Sequence, residues 1–173
     1  MYIESVTSDQ IQRYVKTCSD LLANQNRTTN AGPCADMVLN VIENASHSQI
    51  IELDAVFNNC LAMIERGTLL GDFNDVLRCR PGDILAVVRN DGEANRNVVH
   101  YMLYVGDIQV NDNNQQFVIN TVGINGAFPN NSVILPYHEA VGIYINPNNF
   151  INGQFLYDEK GNYSLYCIKY GLI

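Results

Sequence analysis

The spacing of apolar residues changes character about halfway along the chain. Residues 8–23 place Ile11, Tyr14 or Val15, Cys18, Leu21 and Leu22 at helical intervals, with Ser8 or Asp9 as caps. After the polar stretch NQNRTTNAG, a second helix is predicted from Pro33 to about Asn44, with Met37, Val38, Val41 and Ile42 on its apolar stripe. A third fits residues 49–66, where Ile50, Leu53, Val56, Phe57, Cys60, Leu61 and Ile64 recur at three and four, and Gly67 ends it. From Pro81 the pattern becomes that of strands. GDILAVVR and VVHYMLYVG flank the turn-rich NDGEANRN and read as a hairpin. DIQVNDNNQQFVINTVG adds a turn and a strand, and VGIYIN and SLYCIKYGL add two more. The expected fold class is α+β: N-terminal helices packed on an antiparallel sheet of about five or six strands, in a single domain over 1–173.

Composition narrows the choice of partners. A chain with 47% hydrophobic and 16% charged residues folds rather than remaining disordered. Its net charge of −8 argues against nucleic acid and against an anionic membrane surface, both of which would repel it. MYIESVTSDQIQRYVKTC lacks a basic segment followed by an apolar one, so no cleavable signal is expected. No apolar run reaches the roughly 20 residues of a membrane-spanning helix. The expectation is synthesis in the cytoplasm, with export, if any, by a signal-independent apparatus.

Cys18, Cys34, Cys60, Cys79 and Cys167 are widely spaced, with no CxxC and no Cys/His ligand cluster. That pattern argues against a zinc site and against a disulfide framework, and no cofactor or metal is expected. Cys34 stands apart by position. Pro33 suits the first position of a helix, which puts Cys34 in the first turn. There the helix dipole and unpaired N–H groups favour a thiolate and could hold an oxyanion. Cys18, Cys60 and Cys167 fall on apolar stripes or strands and read as small hydrophobes, while Cys79 is expected exposed in the RCRP turn.

A cysteine nucleophile needs a base and a group to hold that base. His47 follows the second helix and would lie about 20 Å along its axis from Cys34. His138, beside Glu139, reads as a surface residue. His100 is the candidate, in an apolar strand whose alternation groups Val98, His100 and Met102 on one face and Val99, Tyr101 and Leu103 on the other. Asn120 interrupts FVINTV in the same manner and could fix the imidazole from a neighbouring strand. For each of His100 and Asn120 a purely structural role is the competing reading.

The order of these pieces resembles the NlpC/P60 branch of the papain-like cysteine peptidases and amidases. GPCADMVLNVI matches the Cys helix, RPGDILAVV the first sheet strand, HYMLYVGD the His strand and FVINT the strand of the third polar residue, over about residues 30–122. The chain departs from the family in having Pro-Cys-Ala-Asp where Asp-Cys-Ser-Gly is usual. The resemblance implies a papain-like fold with Cys34 as nucleophile, His100 as base and Asn120 as its orienter. It implies hydrolysis of an amide or peptide bond through a thioester, on a peptidoglycan stem peptide. The missing signal suits an effector delivered by an injection apparatus, with a wall peptide or a host glutamine as its target, and a cognate inhibitor protein is a further expected partner. A glutamine deamidase or transglutaminase would use the same chemistry on a protein glutamine. A binding module without catalysis is the third expectation.

Overall fold

A computed structural model describes residues 34–39, 59–90, 96–112, 115–124, 132–134 and 140–169. In chain order its elements are α1 (residues 34–39), α2 (Cys60–Arg66), β1 (Thr68–Leu70), α3 (Phe73–Val76), β2 (Ile84–Asn90), β3 (Arg96–Asp112), β4 (Gln115–Ile124), β5 (Ser132–Ile134), β6 (Ala140–Ile143), β7 (Phe150–Ile151), β8 (Gln154–Phe155) and β9 (Tyr163–Ile168). A 3-10 turn, Pro147–Asn149, precedes β7. The expected helix over 8–23, the remainder of the second helix and the first part of the third lie outside the described residues, as do Cys18, His47 and His138.

The strands form one antiparallel sheet in the order β5-β6-β4-β3-β2-β9-β8-β7, with β1 pairing β9 off that path. Mixed helix and sheet, mostly strand, is therefore the architecture, with more strands among the described residues than the five or six expected. The predicted hairpin is present: β2 and β3 pair with Ile84 opposite Leu103 and Ala86 opposite Tyr101. Ile84 to Val88 are all buried, because this strand sits inside the sheet between β3 and β9 and is covered on both faces. A continuous apolar run fits such a site, each fully buried aliphatic side chain contributing about 1.5–3 kcal/mol.

Two bulges reshape what alternation alone predicts. Val87 faces His100 while Val88 faces Val98, so β3 carries one extra residue at Val99. Val98 therefore shares a face with Tyr101, and His100 shares the other with Val87 and Met102, which corrects the grouping of Val98 with His100. Farther along, β3 does not end at Gly106 but continues through it. Tyr104 pairs with Thr121 and Ile108 with Ile119, and Gly106 takes φ +69 within the bulge between them.

The third helix is also corrected. Asn59 is extended (φ −140, ψ 109) and its side chain accepts from the Ala62 N–H at 3.2 Å, so a helix starts at Cys60 instead of running through from residue 49. Gly67 terminates it as expected, its N–H donating to Met63 O at 2.7 Å. Within it Met63 is buried whereas Leu61 is 68% exposed, so the apolar face is turned away from the stripe expected through Leu61.

The sheet's two faces have different cover. α2 packs against β3 and β9 on the face that carries Tyr101 and Tyr166. The opposite face, with Leu85, Val87, Met102, Leu165 and Cys167, is closed by Leu70, Val76, Phe155 and Tyr157. Among the described residues no helix is long and apolar enough to cross a membrane.

Candidate functional site

Cys34 lies in α1, followed by the buried Ala35, Met37, Val38 and Leu39. Burial pushes its thiol above the ordinary value. Backbone N–H groups of Tyr101, Ala35 and Cys34 itself pull the other way, and the Asp36 carboxylate adds to the rise. The neighbour of the thiol on the sheet is thus Tyr101, whose phenol is raised by burial and by Cys60 and Cys34. Cys60 completes this group: burial raises its thiol, while the Arg96 guanidinium and a Val98 backbone bond lower it.

His100 points to the other face of β3. Its ring packs at 5.9 Å and 46° on that of Tyr157. Its Nε2 lies only 2.9 Å from where a Cβ on Gly123 would stand, so a glycine on β4 is what admits the imidazole. Burial holds its pKa down at about 4, leaving the ring neutral near neutral pH.

Asn120 is buried, and its amide is taken up by Ile145. Its Nδ2 donates to Ile145 O at 3.0 Å and its Oδ1 accepts from Ile145 N–H at 2.8 Å. β6 ends at Ile143, so this side chain continues the β4–β6 ladder for a residue that no longer pairs through its backbone. Thr121 supports the same edge, its hydroxyl donating to Ile143 O at 3.2 Å. Register separates Asn120 from His100 as well. Leu103 faces Val122 and Tyr104 faces Thr121, which puts Asn120 and Val122 on the Tyr101 face and Gly123, under His100, on the other. Cys34 thus meets the Tyr101 backbone, the His100 ring meets that of Tyr157, and the Asn120 amide is bonded to Ile145.

Two other places gather functional groups. One joins Cys79, Asp83 and Cys167, whose donor atoms all lie within 4.8 Å of one another. Cys79 is only 9% exposed, which corrects the expectation of an exposed turn residue. The turn itself explains the burial. Pro81 and Gly82 (φ +99) occupy its centre, Asp83 N–H donates to Arg80 O at 2.9 Å, and Asp83 Oδ2 accepts from Arg80 N–H at 2.8 Å. Gly82 N–H then bonds Tyr104 O at 2.8 Å and Tyr104 N–H bonds Asp83 O at 2.8 Å, which fastens the turn to β3. Cys167 Sγ reaches Asp83 Oδ2 at 3.7 Å. Its thiol is strongly raised by its bond with Cys79, then by burial and the charges of Cys79 and Asp83. In the sequence only Cys79 and Asp83 are close, four residues apart in one turn, while Cys167 comes from the last strand.

The other place is an open cleft of about 410 Å³ between α3 and the β7–β8 hairpin. Phe73 and Phe150 contribute aromatic rings to it, and Asp72, Asn74 and Asn152 contribute polar groups. Asn146 shapes its rim by a capping box, with its side chain accepting from Asn148 N–H at 2.9 Å and its N–H donating to Asn149 Oδ1 at 2.9 Å. Asparagine side chains thus hold this turn. Comparison with protein-family models, with curated proteins and with solved structures finds no match.

Proposed function

We propose that this chain is a binding module that keeps Cys34, His100 and Asn120 for packing, not a Cys-His hydrolase. The observation that carries the reading is that His100 alternates away from Tyr101 on β3, while the Tyr101 phenol, as well as its backbone N–H, feels the Cys34 thiol. A papain-like amidase needs the imidazole on the thiol's side, within hydrogen-bond reach. A neutral, ring-packed His100 and an amide bonded at both ends to Ile145 suit a core instead.

The binding surface in this reading is the cleft between α3 and the β7–β8 hairpin. Its volume falls in the usual range for small-ligand sites, roughly 300–1,000 Å³. Aromatic rings beside amide and carboxylate groups suit a ligand with one apolar face and many hydroxyls, the chemistry of a carbohydrate. Backbone N–H groups of Ala35 and Tyr101 at the Cys34 thiol favour the hydrolase as the second reading, with an amide substrate and the thioester route described above.

The two readings separate in one experiment. The protein is titrated with neutral oligosaccharides and with soluble peptidoglycan fragments, while binding and release of new amine termini are both recorded. Saturable binding without new amines, weakened by Phe150→Ala and unchanged in Cys34→Ala, is expected. New amines that disappear in Cys34→Ala would establish the hydrolase and end the binding-module reading.

A further inference from the structure

The Cys79, Asp83 and Cys167 group lies apart from both the cleft and the Cys34 region. Two sulfurs and a carboxylate oxygen are the donors that thiophilic divalent cations prefer. A tetrahedral zinc ion, with Zn–S about 2.3 Å and Zn–O about 2.1 Å, sets donor–donor separations of roughly 3.6–3.8 Å. The Cys167 Sγ to Asp83 Oδ2 distance is 3.7 Å, and no pair in the group exceeds 4.8 Å. Closing the widest pair onto an ion asks for side-chain movement of only about 1 Å. We infer that Cys79, Asp83 and Cys167 form a three-ligand site for a thiophilic divalent cation such as Zn²⁺.

The surroundings fit such an ion. A cavity of about 150 Å³ reaches both thiols and is walled by Thr68, Leu70, Asp75, Arg78 and Lys169. One water needs roughly 30 Å³, so a solvent molecule or small exogenous ligand can complete the coordination from this side. Two thiolates and one carboxylate around a doubly charged ion leave one negative charge. Arg78 is paired with Asp75 at 3.6 Å across the cavity wall, which leaves Lys169 as the cation that offsets this charge. The Arg80 N–H bond to Asp83 Oδ2 fixes the carboxylate as an outer-sphere partner does in metal sites. The binding step is a simple exchange: two metal–sulfur bonds and one metal–oxygen bond form, the displaced aqua ligands and two thiol protons pass to solvent, and nothing is oxidised or reduced. An ion there would join the turn before β2 to β9.

The test uses the reduced full-length chain titrated with Co²⁺, whose visible bands report tetrahedral thiolate ligation, followed by displacement with Zn²⁺. Saturation at one Co²⁺ per chain is expected, with the bands lost in Cys79→Ser and in Asp83→Asn and retained in Cys34→Ser and Cys60→Ser. Cys167 is buried in the core, so its part is read without a substitution. Alkylation mapped by mass spectrometry on the folded wild type should show Zn²⁺ protecting Cys79 and Cys167 while leaving the rate at Cys34 unchanged. Absence of cobalt bands in the reduced, folded chain, bands that persist in Cys79→Ser, or isolation of a Cys79–Cys167 disulfide with no metal uptake after reduction would each overturn the site.

Discussion

Replacing Asn120 by alanine should unfold the protein more readily, without any catalytic step being involved. The side chain makes two buried hydrogen bonds to one residue, donating to Ile145 O at 3.0 Å and accepting from Ile145 N–H at 2.8 Å. Alanine leaves both backbone groups buried without those bonds, at about 1–2 kcal/mol each and about 2–4 kcal/mol together. For a chain of this size that corresponds to a melting temperature lower by roughly 5–15 °C. Asn120→Asp gives a second, sharper readout. An ionised aspartate would face Ile145 O without a proton to donate, whereas the protonated acid can donate as the amide does. Burial raises the folded-state pKa of such a carboxyl above its unfolded value, so its stabilising effect is present at acidic pH and lost as pH rises through the folded pKa. Asn120→Asp should therefore approach wild-type stability at low pH and fall well below it at neutral pH. Chemical denaturation of the three proteins across pH is the assay. A loss below about 0.5 kcal/mol in Asn120→Ala at every pH would refute the structural role, being the size of an ordinary surface change.

Other consequences concern His100. Gly123→Ala would put a methyl group 2.9 Å from His100 Nε2 and 3.2 Å from Cε1. It should cost about 1–3 kcal/mol by overpacking, and much less in a His100→Ala background; additive losses in a double-mutant cycle would contradict the contact. The folded-state pKa of about 4 lies below the ordinary 6.5, so the unfolded chain binds the proton more tightly. Stability from this group is full above about pH 6.5 and is lost as pH falls towards 4, by about 3 kcal/mol in all. His100→Gln should flatten that part of the stability–pH curve; an unchanged acid limb would contradict it.

Strand existence and pairing were legible because the apolar runs were long and a turn-rich stretch lay between them. ILAVV, a short run rich in β-branched residues, read as a strand, and it is one, buried throughout. Facing was less legible. An extra residue at Val99 shifts Val98 onto the Tyr101 face, and nothing in VVHYMLYVG marks the bulge. Helix phase was also hidden, because Leu61 and Met63 are equally apolar and only packing selects Met63 for burial. The three residues selected for chemistry are all in distinctive places, yet a buried asparagine is as useful to a sheet edge as to an imidazole. Conversely, Cys79 and Asp83 sit four residues apart in one turn, too sparse a pair to signal a site, and only folding brings Cys167 of the last strand to them.

The most direct measurement of the central claim is the rate of Cys34 alkylation as a function of pH, in the wild type and in His100→Ala. Burial with Tyr101 as neighbour predicts slow labelling that accelerates only above the ordinary thiol range, with the same profile in both proteins. A rapid phase near neutral pH that disappears in His100→Ala would reveal a thiolate–imidazolium pair and contradict the account.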